Sequence, residues 1–175
     1  MVDTPVRLTA PDPTWRESFL GQREQVARVL ARWLAATVEH VGSTAVPGMP
    51  AKPIVDLMAP VVALPRIGSP ERAAMVGALT ADGWTYWPDD PHAVTRLWFL
   101  RPSPEQRTHH LHVVEFGGAR ARGMVAFRDA LTRDSALAAE YAELKRRLAA
   151  EHPEDREAYT AGKREFVARV LETAR

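Results

Sequence analysis

The chain has 175 residues, 46% of them hydrophobic and 26% charged, with a formal net charge of +1 and no cysteine. That length allows one compact domain over residues 1–175, with an α/β core to about residue 120 and helices beyond it. The absence of cysteine excludes disulfides, thiolate metal sites and cysteine nucleophiles, and the scattered, nearly balanced charge gives no footprint for nucleic acid. No window is apolar for long enough to span a membrane, and MVDTPVRLTAPDP has no apolar signal core, so a soluble, cytoplasmic protein is expected.

The first pattern runs from Thr14 to about Ala35. Trp15, Phe19, Val26, Leu30, Trp33 and Leu34 recur at helical spacing, with Asp12 and Thr14 as caps around Pro13. Thr37 to Val41 alternates polar and apolar residues like a strand. A Gly-Ser turn and a proline-punctuated loop follow, and Pro53 to Val62 then forms an apolar, β-branched run that predicts a buried strand. Ser69-Pro70-Glu71 starts a helix that Asp82-Gly83 stops. Trp84–Trp87, Thr95–Arg101 and His109–Phe116 are further strands, joined by the turns PDDPH and PSPEQR. From Ala121 the periodicity is helical over 121–133, 135–151 and 154–174, with Ser135 and Pro153 at the boundaries. The order α, β, β, α, β, β, β and then helices is an α+β arrangement, a small mixed sheet flanked by helices with a helical C-terminal part.

The chemistry concentrates in EHVGSTAVPGMPAKPIVDLM, Glu39 to Met58. Glycine at position 42 lets the backbone approach a ligand, and Ser43 and Thr44 supply hydroxyls beside free amides, a combination that holds phosphate. Lys52 brings positive charge from the far side of the loop. Asp56 stands inside PIVDLM, where a carboxylate is costly unless it faces a cleft, a metal or a hydrogen-bond donor. The plain alternative is an ordinary turn, with Asp56 held by backbone amides.

HVGSTAVPGMPAKPIVDLM, THHLHVVEFG, FRDAL, AAEYAELKRRLA and AYTAGKREFV together resemble, in this order, the blocks of the GrpB (UPF0157) family, which is related to the nucleotidyltransferase fold of DNA polymerase β. The resemblance covers nearly the whole chain. It implies a small mixed sheet with the Gly-Ser turn after the first strand and Asp56 on the second. It also implies nucleotidyl transfer from a nucleoside triphosphate to a small molecule, with Mg²⁺ or another divalent ion as cofactor. The superfamily pattern places two acidic residues on that strand, one residue apart; here the second falls on Met58, and a thioether is a poor ligand for a hard cation.

The strand HHLHVVEF is the place to look for a replacement. Alternation puts His110, His112 and Val114 on one face and His109, Leu111, Val113 and Glu115 on the other. If His112 faces the cleft, Asp56 and His112 form a pair for one metal or for general-base work; otherwise His112 is a half-buried histidine beside a hydrogen-bonded Asp56. His109 and His110 are read as exposed at the start of the strand, and His40 as structural. Arg101, rather than Arg96 or Arg107, is the preferred anion contact. Lys145 and Lys163 each follow a tyrosine at i, i+4 on the C-terminal helices, from where they reach a phosphate or snorkel outward. Three functions follow: a nucleotidyltransferase, a single-metal or acid–base enzyme acting on an acidic metabolite, and a domain that binds a nucleotide or metabolite without turnover.

Overall fold

Alternation along two seven-residue strands decides the layout. In the computed structural model, which describes residues 5–173, β2 (Val55–Val61) and β5 (His109–Glu115) lie side by side in parallel, with Leu57 opposite Leu111 and Ala59 opposite Val113. β1 (Glu39–Val41) flanks β2, and β4 (Leu97–Arg101) and β3 (Thr85–Tyr86) extend the other side, all antiparallel, giving the order β1-β2-β5-β4-β3. The chain is an α+β protein with a five-stranded mixed sheet.

One face of this sheet is dry. Val55, Leu57, Ala59 and Val61 join Leu111, Val113, Leu97 and Phe99 in a single apolar cluster. Trp15, Phe19 and Val26 of α1 (Thr14–Val29) and Met75 and Leu79 of α2 (Pro70–Ala81) cover it. Each fully buried side chain of this kind contributes about 1.5–3 kcal/mol. The α1 helix stops at Val29 although its periodicity runs on to Leu34. A turn takes over, with Trp33 and Leu34 both donating to the Leu30 carbonyl, and it keeps the same residues against the core while Leu34 bridges to Val61. The α2 start is the expected one, Ser69 Oγ accepting from the Arg72 amide ahead of Pro70.

The opposite face carries Asp56 and Met58 of β2, His110, His112 and Val114 of β5, and Trp98 of β4. α3 (Ala119–Arg133) seals its Met58 end, where Val41, Met58, Val114 and Ala121 pack together. Next come α4 (Ser135–Glu151), α5 (Arg156–Ala161) and α6 (Arg164–Thr173). They are anchored by Val46 and Met49 of the loop after β1, which pack on Leu131, Tyr141, Phe166 and Val170. The continuous helix expected over 154–174 is therefore two helices. The break falls at Gly162, the C-cap of α5, which packs so close to α4 that a Cβ there would lie 2.5 Å from Leu148 Cδ2, and the helix restarts after Lys163. Among the described residues no helix is long and apolar enough to cross a membrane.

Candidate functional site

Asp56 is the polar exception in β2, and its register sets it between Val41 of β1 and His110 of β5. Its Oδ1 accepts from His110 Nδ1 at 3.1 Å and from His112 Nε2 at 3.2 Å. A carboxylate has no proton to give, so each ring carries its hydrogen on the nitrogen that faces it. The second nitrogen of His112, Nδ1, lies 3.0 Å from Arg96 Nη1, which only donates. His112 is thus neutral, protonated on Nε2 alone, and both of its nitrogens are engaged. Asp90 fixes Arg96 by accepting from its Nε and Nη2 at 2.7 and 3.0 Å. His110 differs: its Nε2 is buried without a partner. Trp98 stacks on His112 and meets His110 edge-on, closing the cluster from the side of β4.

Burial holds both histidines below their ordinary 6.5, His110 at about 4, so both rings are neutral at neutral pH. Burial by itself would raise Asp56, but the hydrogen bonds from the two rings outweigh it and hold the carboxyl well below the usual carboxylate range. Asp56 is a fixed negative charge, and a quarter of its side-chain surface remains open.

That open surface faces a cavity of about 300 Å³ whose wall includes Ser43, Thr44, Lys52, Lys145, Lys163 and Arg156. Gly42 makes the geometry possible: at φ +72° it turns the chain out of β1, and a Cβ there would sit 2.5 Å from Asp56 Oδ2. Thr44 Oγ1 is tied to His40 Nε2 at 3.0 Å, while the His40 ring stacks on Phe19. The three lysines come from three places: the loop before β2, the middle of α4 and the break between α5 and α6. Lys145 Nζ donates to the Pro50 carbonyl at 2.5 Å, and Lys163 lies over the Tyr159 ring at 4.2 Å. Burial comes first in lowering all three, Lys52 and Lys145 to about 7 and Lys163 to about 8, helped for Lys52 by Arg156 and Lys163 and for Lys145 by Lys163. Crowded, partly desolvated cations of this kind are relieved by an anion.

Arg101 does not take part. Its guanidinium lies over Trp84 and donates to the Asp82 and Gly83 carbonyls and to Gln22 and Gln25, on the α1 side of the sheet. Alternation contained this answer, since Arg101 shares its face with Leu97 and Phe99, both core. Arg96 lines the site instead, packed over Trp98 and bonded to His112. His110, read as exposed, is buried in the cluster, and His109, also buried, faces the other way to Ser18 Oγ at 2.7 Å. Tyr141 and Tyr159 are packing residues of the helical layer. Arg128 joins α3 to β1 through Glu39 and the His40 carbonyl.

Among the described residues, Asp56, His110 and His112 are the group that could hold a metal ion, with one ligand atom of each within 4.8 Å of the others. A carboxylate and two imidazoles suit a borderline ion such as Zn²⁺ or Fe²⁺ best, and among harder ions they suit Mn²⁺, first in the transition-metal series, better than Mg²⁺. The orphan Nε2 of His110 is consistent with a ring that changes its protonation when loaded. A bound ion would take the place of both ring protons at Oδ1, and His112 would then need to carry its proton on Nδ1, where Arg96 now donates. As an acid–base group, His110 rather than His112 has a nitrogen to offer. Met58 stands where the pattern has its second carboxylate, and its thioether is shut in the apolar cluster under α3.

The family model described as GrpB protein matches residues 5–173 of this chain. A UPF0157 protein of Pseudomonas aeruginosa is 40% identical over 97% of the chain and 67% of its own length, and one of Deinococcus radiodurans is 36% identical over 95% and 81%. A UPF0157 protein of Bacillus subtilis is 31% identical over 92% of the chain, which spans less than half of that relative's length. The crystal structure of the conserved protein GrpB from Enterococcus faecalis superposes with a TM-score of 0.83, at 28% identity over 96% of both chains. The chain belongs to the GrpB (UPF0157) family.

Proposed function

We propose that this protein binds a phosphorylated small molecule and carries out single-metal phosphoryl-group chemistry on it. Nucleotidyl transfer from a nucleoside triphosphate is the form that the nucleotidyltransferase-like signature implies. One observation carries the proposal: the ionised Asp56, backed by two neutral imidazoles, opens into the same cavity as Lys52, Lys145 and Lys163. In this reading the lysines, with the Gly42–Thr44 turn, hold the phosphates. Asp56, His110 and His112 hold a divalent ion, which when bound supplies positive charge to the phosphoryl group. Arg96 positions His112, and Trp98 keeps water from the back of the cluster. A two-ion version lacks its second carboxylate, and that same observation at Met58 favours a second reading, a domain that binds the nucleotide without turning it over.

Calorimetric titration of ATP, GTP, CTP and UTP, each with Mn²⁺, with Mg²⁺ and without metal, tests the proposal on wild type and on Asp56→Asn. Expected is metal-dependent binding, stronger with Mn²⁺ than with Mg²⁺, that Asp56→Asn abolishes. Absence of binding to every triphosphate sinks it. Binding without product over a panel of acceptors selects the second reading.

A further inference from the structure

Asp56 and His112 also border a second chamber, of about 540 Å³, different in character from the first. Its walls are Ala119, Met124 and Phe127 of α3 and Val167 and Leu171 of α6, and among the described residues its only charged group besides Asp56 is Arg120. That volume falls within the range of small-molecule sites, and so does the pattern of apolar walls with few polar groups.

Two details argue that the space is kept open. Residue 123, in the middle of α3, is glycine, which costs a helix about 1 kcal/mol relative to alanine. Packing does not demand it: a Cβ there would meet only Leu171 Cδ1, at an ordinary 3.7 Å. What the missing side chain gives is room in the chamber. Arg120 is the second detail. Its Nε donates to Thr95 Oγ1 at 3.0 Å, yet among the described residues it makes no ion pair with a carboxylate. Burial first, and then the charge of Arg96, lower it from its ordinary value. Asp90 opposes that shift but is taken up by two nitrogens of Arg96, which leaves Arg120 half out of water with no carboxylate of its own, a place for an anion. The walls offer aliphatic surface, and the one ring, Phe127, is already edge-on to Tyr141 and Phe166.

We propose that this chamber binds an aliphatic carboxylic acid, its apolar body between α3 and α6 and its carboxylate on Arg120. As a binding site it stands on its own geometry; as the site of a second substrate, meeting the phosphorylated one at Asp56 and His112, it rests on the function proposed above.

Octanoate, octylamine and tripolyphosphate are the probes, titrated by calorimetry into wild type, Arg120→Gln and Gly123→Leu, with thermal melts to confirm that each variant folds. Octanoate is expected to bind about tenfold or more tightly than octylamine, as a charge-assisted contact to Arg120 requires. Arg120→Gln, which changes a half-exposed side chain without touching the core, removes that preference. Gly123→Leu fills the chamber and weakens octanoate by about tenfold or more, leaving tripolyphosphate unchanged. Octanoate that fails to bind, or that keeps its preference over octylamine in Arg120→Gln, overturns the assignment. Octanoate binding without tripolyphosphate binding leaves this site standing and removes the phosphate reading of the lysine cavity.

Discussion

Asp56 and Leu57 are neighbours in β2, yet Leu57 is sealed in an apolar layer beneath α1 and α2 while Asp56 opens into a cavity lined by lysines. The same division repeats on β5, where Leu111 and Val113 face one way and His110 and His112 the other. The apolar face is additive and forgiving of exact geometry, since each side chain contributes by the area it removes from water. The polar face is conditional: Asp56, His112, Arg96 and Asp90 form one chain of donors and acceptors in which each group is satisfied by the next. The sheet therefore separates stability from chemistry by the period of two residues alone, and this separation can be broken from either side.

The largest expected effect comes from the dry face. Phe99→Ala removes a fully buried ring from the cluster under α1 and is expected to cost about 3–5 kcal/mol in urea unfolding. Ligand titration under conditions where the variant stays folded should give the wild-type affinity. A parallel loss of affinity means that the two faces are mechanically coupled. Asp56→Asn is the converse. The amide oxygen still accepts from the two rings, but it is neutral and the stability that came with the depressed carboxylate is lost, so unfolding should shift by about 1–3 kcal/mol at neutral pH, less than for Phe99→Ala. Metal-dependent triphosphate binding should fall by about tenfold or more, because the fixed charge is gone. A large stability loss with unchanged binding reverses the assignment and makes Asp56 a structural residue.

Periodicity made the fold legible because both faces obey it. The strands, the Ser69 cap and the early helices lie within a few residues of where spacing puts them. The misses lie where tertiary placement decides. The C-terminal helical stretch divides at Gly162, where the chain lies against Leu148 of α4, a contact between residues on different helices that no window of sequence contains. The candidate site was legible in part. Asp56 stood out as a charge in an apolar run, and Lys52, Lys145 and Lys163 do line its cavity. His110 was hidden by its place near the start of its strand, and Arg96 by its place just before one. Arg101 was misassigned although the alternation rule, applied to Leu97 and Phe99, pointed it to the core face. Asp90, which fixes Arg96, sits in a turn, and nothing in PDDPH distinguishes it from Asp89.

A smaller effect separates the faces by pH. His110 is held at about 4 in the fold against 6.5 when exposed, so the folded state binds fewer protons than the unfolded one between these values. Its contribution is fully present above about pH 6.5 and is lost as pH falls toward 4, at about 1.4 kcal/mol per pH unit. His112, lowered by burial as well, adds in the same direction. Urea midpoints at a series of pH values across that window should decline with acid, and His110→Gln should flatten the decline. An unchanged slope in that variant places the acid sensitivity elsewhere, in His112, His40 or His109, which burial also lowers.

The smallest effect is the most specific to the lysine cavity. Lys52 and Lys145 at about 7 and Lys163 at about 8 are partly neutral just above neutral pH. An anion among them favours the charged form and raises each toward its ordinary value, so protons must be taken up on binding and affinity must fall as pH rises from about 7 to 9. Tripolyphosphate without metal separates this linkage from the proton release that accompanies metal loading, once the ligand's own last ionisation, titrated under the same conditions, is subtracted. Titration near pH 8 in two buffers of different ionisation enthalpy gives the number of protons directly, and it should be positive and less than one per lysine. Lys163→Arg keeps the charge while removing its proton exchange, so it should lower the uptake by that residue's share and make the fall of affinity with pH shallower, Lys52 and Lys145 still titrating. Binding with zero uptake in wild type would mean that the phosphates rest on arginines such as Arg156 and that the depressed lysines serve the packing of α4, α5 and the loop before β2 instead.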